Sequence, residues 1–422
     1  MREIRIAILG NVDSAKTTLV STITNKILDD GRGFARAKVF KHKHEKETGR
    51  TSSISFRYIK VNEEKYISFI DLAGHEKYFK TTIHGLNGGL ADYAILVVGA
   101  NMGVLKMTRE HLGIIKALQI PFFVVVTKLD ICPPNILERT IREINNIVDR
   151  NFKKKLLICE SNLEGDSEIE LSNKLNNLSL TVKEHVPLFK LSNVTGEGLD
   201  YFRNFLNNLN PRLDWDARKN KDSIYWIDNV YYVKGVGIVI SGTVKNGEIR
   251  INDKMLLGPT DGLFKEVIVK SIHNNFREDI SMLSAGLSGC IAVKTVNRKE
   301  TLNKKKIKKG MVLLQNLKVE NGEKEAAVKE FTASITVLHH PTTIKENYEP
   351  VIHCGKVSQT ARVMSINRDY LRTGDKGVMK FRFKYRPEYL EKDDVLIFRE
   401  GKTKGIGRIL ELGEKVNKGK SK

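Results

Sequence analysis

The segment Gly10 to Thr17, Gly-Asn-Val-Asp-Ser-Ala-Lys-Thr, stands between an alternating apolar strand, Ile4 to Leu9, and the opening of a helix. A loop in that position turns successive backbone N–H groups and a helix N-terminus toward one point, and such a point holds phosphate groups. Lys16 then reaches the β- and γ-phosphates, and the Thr17 hydroxyl binds Mg2+. The expected nucleotide contacts begin with Gly10, Asn11, Val12, Asp13, Ser14, Ala15, Lys16, Thr17 and Thr18. One position departs from the usual pattern, which ends Gly-Lys-Ser/Thr. Ala15 stands in the second glycine position, and a methyl group close to the phosphates predicts weaker nucleotide binding or a small shift of the loop.

Three more segments fall at the ends of apolar strands. Asp71-Leu72-Ala73-Gly74 follows the strand Tyr66 to Ile70, where a carboxylate holds Mg2+ through water and the Gly74 N–H meets the γ-phosphate. Thr127-Lys128-Leu129-Asp130 ends the strand Phe122 to Thr127. There an aspartate accepts from both N1–H and the 2-amino group of guanine, a donor pair that adenine lacks. Ser192-Asn193-Val194 follows Leu188 to Leu191 and is placed to offer backbone N–H to the guanine O6. Asp71-x-x-Gly74 alone is a common turn and Lys128-x-Asp130 alone a common surface pair. Their order on successive strand ends carries the reading, which is a Mg2+-dependent GTPase site.

Residues 1–212 alternate β-branched runs with helical stretches, which implies βαβ crossovers and a mostly parallel sheet. From about Ser223 the texture changes to strands separated by turn signals such as Asn246-Gly247 and Asp261-Gly262, the signature of antiparallel barrels. The expected fold is an α/β nucleotide-binding domain over 1–215 followed by two β-barrels, 221–316 and 325–412, and a basic disordered tail, 413–422. Lys304 to Lys309 and Glu320-Asn321-Gly322 mark the second boundary or a nearby loop. The polar stretch Cys159 to Thr181 reads as an insertion or mobile loop in the first domain.

No apolar run approaches the ~18 residues needed to cross a bilayer, and the start lacks a signal-peptide pattern, so a cytoplasmic protein without membrane contact is expected. Four scattered cysteines suit reduced thiols better than a disulfide framework or zinc site. The net charge of +21 attracts polyanions, with RNA the leading candidate, although solvated lysine surfaces would give the same number. Lys153-Lys154-Lys155, Lys304 to Lys309 and Lys415 to Lys422 are the segments that would touch RNA phosphates. His339, His340, His353 and Cys354 fall in strand-like blocks, where packing and hydrogen bonding are expected rather than a metal cluster.

These residues resemble the translation-factor GTPases, and the resemblance runs over nearly the whole chain. Asp71 to Phe79, DLAGHEKYF, is similar to that family's second switch, and Asn101 to Leu112, NMGVLKMTREHL, to the helix entry after it. Gly237 to Val244 and Asn252 to Pro259 resemble blocks of its second domain. His339 to Ile344, Tyr348 to Cys354 and Phe398 to Gly407 resemble blocks of its third. Phe34 to Glu45 with Gly49 to Ser53 points to the GTPBP group of elongation-factor-like GTPases.

The resemblance implies further roles. Thr51 becomes the first-switch threonine on Mg2+ and the γ-phosphate, His75 orients the attacking water, and Asp13 is a monovalent-cation ligand. Val12 fits one of the apolar positions that screen the water, but Arg50 occupies the other, so control of hydrolysis is expected to differ. Thr127 replaces the commoner asparagine, losing an amide that braces the phosphate loop while keeping a hydroxyl. The function implied is a monomeric GTP/GDP switch that binds the ribosome and tRNA or another RNA, with a nucleotide exchange factor as a further partner. Two alternatives stay open: a relic of the fold that binds RNA but holds nucleotide weakly, and an RNA-surveillance GTPase linked to the exosome.

Overall fold

Short runs of Ile, Val and Phe that are apolar on both faces must be covered by helices on both sides, and the chain does this by crossing over after almost every strand. In a computed structural model the described residues are 1–40, 54–78, 88–159, 184–297, 301–315, 327–400 and 403–413, with a few positions between. They divide into two units, Met1–Leu213 and Asp214–Lys422.

The first unit contains β1 (Arg2–Gly10), α1 (Lys16–Asn25), α2 (Phe34–Ala37), β2 (Ser55–Asn62), β3 (Lys65–Asp71), β4 (Tyr93–Gly99), α3 (Lys106–Leu118), β5 (Phe122–Thr127), α4 (Pro134–Phe152), β6 (Lys155–Cys159), β7 (His185–Lys190) and α5 (Leu199–Asn208). The sheet order is β2-β3-β1-β4-β5-β7-β6. The β2 strand runs antiparallel to β3, and the other neighbours are parallel. Side chains alternate between the two faces. Ile4, Ile6, Ile8, Ile95, Val97, Phe123 and Val125 pack toward α1 and α5, while Ala7, Leu9, Leu96, Val98, Val124 and Val126 face α3 and α4. The first face is closed by an aromatic cluster in which Phe205 lies 5.1 Å from Phe123 and 4.7 Å from Phe189, centroid to centroid.

The strands expected from the sequence at Ile4 to Leu9, Tyr66 to Asp71, Tyr93 to Gly99, Phe122 to Thr127 and Leu188 to Leu191 are all present, the last of them beginning three residues earlier than expected, at His185. Two strands were not anticipated. The β2 strand mixes Arg57 and Lys60 with apolar residues because it lies at the edge of the sheet and is only half covered. The β6 strand starts at Lys155, inside a basic segment read as an RNA-facing loop, and its exposed positions are those of the opposite edge. The expected insertion at Cys159 to Thr181 falls mostly outside the described residues, as do Lys415 to Lys422.

The second unit holds two closed six-stranded antiparallel barrels. The first is formed by β8 (Ile224–Val233), β9 (Gly237–Asn246), β10 (Lys254–Thr260), β11 (Leu263–Asn274), β12 (Ser288–Thr295) and β13 (Val312–Leu314). The second is formed by β14 (Glu330–His339), β15 (Val351–Cys354), β16 (Val357–Ile366), β17 (Lys376–Phe383), β18 (Val395–Glu400) and β19 (Thr403–Leu412). The Asp261-Gly262 turn joins β10 to β11 with both residues at positive φ, 52° and 85°, the conformation that makes Asp-Gly a hairpin signal. Lys304 to Lys306 form a short 3-10 turn ahead of β13, so the lysine run lies within the first barrel's span and the barrel closes after it. No described helix is long and apolar enough to cross a membrane.

Phe205 is fully buried, and truncation to alanine removes the centre of the aromatic cluster. Phe205→Ala is expected to destabilise the first unit by about 3–5 kcal/mol, read as a lower denaturant midpoint. A change under about 1 kcal/mol would show that the cluster does not hold α5 to the sheet.

Candidate nucleotide site

In a parallel sheet with helices on both faces, a crevice forms outside the carboxyl ends of the strands where the order reverses. Here that point is β1, whose neighbours β3 and β4 lead in opposite directions. The loop that leaves β1 is Gly10 to Ala15. Gly10 has φ 148°, and a Cβ there would lie 2.8 Å from Ser14 Oγ and closer still to the Val97 carbonyl, so only glycine lets the chain turn. The Asn11 carbonyl gathers the loop: it accepts from Ser14 Oγ at 2.9 Å and from Lys16 Nζ at 2.5 Å. Val12 is half-buried and Asp13 exposed, the latter at φ 60°.

Ala15 has φ 65° and ψ 26°, the left-handed region in which a Cβ crowds the following carbonyl. The sequence therefore places alanine where the backbone is built for glycine. Thr127 supports that loop from the end of β5: its fully buried hydroxyl donates to the Ser14 carbonyl at 3.1 Å. The brace attributed to a lost amide is thus supplied by the hydroxyl that replaces it.

Lys16 and Thr17 open α1 beside the end of β3. Thr17 Oγ1 donates to Asp71 Oδ2 at 2.9 Å, and Asp71 Oδ1 is buried with no hydrogen-bond partner among the described residues. Burial pushes the Asp71 carboxyl up to about 6, against the attraction of Lys16 and the Thr17 hydrogen bond. Burial likewise pulls Lys16 down to about 8, with Asp71 and Asp13 opposing. A hydroxyl and a carboxylate with one oxygen unengaged are the hard oxygen donors that Mg2+ takes, so these residues fit the ion. Gly74 is buried against the loop. A Cβ on it would stand 2.7 Å from the Gly10 carbonyl oxygen and closer still to Lys16 Nζ, so the second switch begins at a residue that only glycine can fill.

His75 projects into solvent. Its Nδ1 accepts from the Lys77 N–H at 3.1 Å, and its ring meets Tyr78 edge-on at 6.3 Å, which fixes the imidazole on the short turn Glu76–Tyr78. Thr51, with the rest of Gly49 to Ser53, and Phe79 lie outside the described residues.

The base-reading end is built from two loops. Asp130 Oδ1 accepts from Ser192 Oγ at 2.6 Å, and Ser192 Oγ in turn accepts from the Val194 and Thr195 N–H groups at 3.2 Å. Lys128 takes φ 65° and lines the cleft. The Asn193 side chain accepts from Thr22 Oγ1 at 2.9 Å, tying this loop to α1. Asp13, Ala15, Thr18, Lys128, Asp130, Asn193 and Val194 line one cleft of about 260 Å3. Asp29, Gly31, Gly33 and Arg36 line it too, and sequence reading missed them. The available signal was Gly31-Arg32-Gly33, a turn between α1 and α2.

Residues 1–222 match the family described as the Elongation factor Tu GTP binding domain. The chain is 42% identical over 440 residues to GTP-binding protein 1 of Xenopus laevis, covering 98% of this chain and 64% of that protein. It thus spans just under two thirds of that relative's length. It is 38% identical over 435 residues to GTP-binding protein 2 of Homo sapiens, covering 97% and 69%. The solved structure of a bacterial selenocysteine-specific elongation factor superposes with a TM-score of 0.72 at 22% identity, covering 99% of this chain and 60% of that one, a likeness of fold.

Left-handed backbone at a residue with a Cβ costs about 1 kcal/mol or more. Ala15→Gly is therefore expected to raise the thermal midpoint of the nucleotide-free protein by a gain of about 1 kcal/mol. An unchanged or lower midpoint would show that the loop has adapted to alanine.

Proposed function

Because the chain belongs to the translation-factor GTPases, on the elongation factor Tu line that includes GTP-binding proteins 1 and 2, we propose that it binds GTP, hydrolyses it and uses the difference between GTP and GDP as a switch. The observation that carries this reading is that the loops after β1, β5 and β7 line one cleft, through Asp13 and Ala15, Lys128 and Asp130, and Asn193 and Val194, while Lys16 and Thr17 at the start of α1 stand beside Asp71 at the end of β3. The lysine neutralises the β- and γ-phosphates. Thr17 and Asp71 hold Mg2+, which when bound supplies charge to the same oxygens, and Asp13 is the candidate monovalent-cation ligand. Phosphoryl transfer needs positioning and charge stabilisation more than covalent chemistry. His75, on a turn that begins at the tightly packed Gly74, aligns the attacking water once the second switch moves it inward. Thr51 completes the Mg2+ and γ-phosphate contacts from the first switch.

The net charge of +21 supports polyanionic partners. We take these to be the ribosome with tRNA or another RNA, met in the cytoplasm by a monomer whose nucleotide is renewed with or without an exchange factor. One observation favours a second reading: the left-handed Ala15 would weaken a loop that must hold phosphate, which suits a protein that binds RNA and holds nucleotide poorly.

Calorimetric titration with GTP, GDP and ATP in Mg2+ separates the two. Micromolar or tighter binding of both guanine nucleotides, with none of ATP, is expected from the switch (roughly −8 kcal/mol or better). Absence of guanine-nucleotide binding by the native chain would sink it. With binding established, His75→Ala is expected to keep GTP affinity and to lower ribosome-stimulated hydrolysis by roughly 100-fold or more. A rate equal to the native one would remove His75 from the chemistry.

A further inference from the structure

The residues that the motifs do not account for are those between α1 and α2. This stretch is tied to both ends of the cleft. The Asp29 N–H donates to the Asn193 carbonyl at 2.8 Å on the base side. The Ala35 carbonyl accepts at 2.6 Å from Ser21 Oγ of α1, the helix that begins at the phosphate loop. The Ala35 N–H donates to Asp29 Oδ1 at 2.8 Å, so the turn is closed on itself, and Ala35 is fully buried. The next residue, Arg36, is thereby carried on a backbone held to α1 and to the Asn193 loop, and it lines the cleft.

We propose that Arg36 is a nucleotide ligand, contacting the ribose-side phosphate that GTP and GDP share; this rests on reading the cleft as a guanine-nucleotide site. Lys16 and Thr17 take the terminal phosphates and Asp130 the base, so the part of the ligand left between them is the ribose and its first phosphate. Of the three carboxylates that line this cleft, Asp29 accepts from the Ala35 N–H and Asp130 from Ser192, and Asp13 stands on the exposed phosphate loop. Among the described residues no carboxylate is ion-paired with Arg36, which leaves its five N–H donors for a ligand. A planar guanidinium matches two phosphate oxygens at once and keeps its charge at any working pH.

Gly33 sets where that guanidinium lies. It has φ 104°, and a Cβ on it would come within 3.0 Å of both Cζ and Nη2 of Arg36. The side chain folds back over the bare glycine backbone rather than extending into solvent. The contact also adds affinity independent of the phosphate loop, offsetting the strained Ala15 without needing the γ-phosphate.

The test is titration of native protein, Arg36→Ala, Arg36→Lys and Gly33→Ala with GTP and GDP in Mg2+, with the thermal midpoint of each nucleotide-free variant as a check on folding. Arg36→Ala is expected to weaken GTP and GDP by the same factor, roughly 10- to 100-fold, with an unchanged midpoint. Arg36→Lys should recover part of the loss, and Gly33→Ala should reproduce part of it with the arginine still present. Unchanged affinities would overturn the proposal and leave Arg36 a solvated rim residue. Loss confined to GTP would overturn it by moving the contact to the γ-phosphate. A native protein that binds neither nucleotide would fail before any variant is compared, and that outcome overturns the nucleotide reading itself.

Discussion

Six parallel strands bring their carboxyl ends to one edge of the sheet, and every side chain of the site depends on that alignment. Gly10, Asp71 and Thr127 end β1, β3 and β5, and Ser192 follows β7 by two residues. None of these is near another in sequence, yet the backbone ladders place them around one crevice. The ladders also fix where those loops start: Asp71, Thr127 and Ser192 are all buried. Gly74 is the tightest case, because it brings the start of the second switch against both the Gly10 carbonyl and the Lys16 ammonium. Any displacement of the switch is therefore felt at the residue that meets the phosphates.

The phosphate loop shows how local strain is carried by surrounding structure. Ala15 sits in a conformation that favours glycine, yet the loop is held from several directions: by the Thr127 hydroxyl on the Ser14 carbonyl, by Ser14 and Lys16 on the Asn11 carbonyl, and by the start of α1. Residues in sparsely populated backbone regions persist where their surroundings over-determine them. The Thr127 hydroxyl is part of that over-determination, and it lets threonine replace a longer amide without releasing the loop.

Much of this was legible before the fold was seen. The four motif segments were readable because each couples a strand end to a residue type with one chemical use there, and the barrels because Asp261-Gly262 and Asn246-Gly247 interrupt alternating strands. What escaped notice has physical reasons. The edge strands β2 and β6 are covered on one side only, so Arg57, Lys60 and Lys155 dilute the apolar signal that marked β4 and β5. Asp29 joins the site through its N–H to the Asn193 carbonyl, and Arg36 through its neighbour Ala35, whose carbonyl accepts from Ser21 Oγ; both bonds depend on tertiary proximity and leave no spacing in the sequence. The Asn193 side chain braces α1 by accepting from Thr22 Oγ1, a contact that its place in the loop does not announce.

The two barrels raise a different question, since each has its own closed sheet and core. The Trp226 ring of β8 lies against Gly355, between β15 and β16, and ion pairs add to that contact. Lys245 of β9 meets Glu391 at 2.6 Å and Asp394 at 3.0 Å in the turn before β18, and its ammonium stands 4.7 Å from the centre of the Trp226 ring. Lys356, between β15 and β16, meets Asp228 of β8 at 2.5 Å. Burial works against the Lys245 ammonium, but Asp394 and Glu391 lift its pKa above the ordinary value. A buried ion pair adds little net stability over an apolar contact of the same size, but losing one partner strands the other. Its directionality penalises rotation more than separation. Two such pairs, with lysines contributed once by each barrel, resist sliding in either sense. An apolar seam alone would join the barrels as strongly but would leave their relative angle less sharply defined.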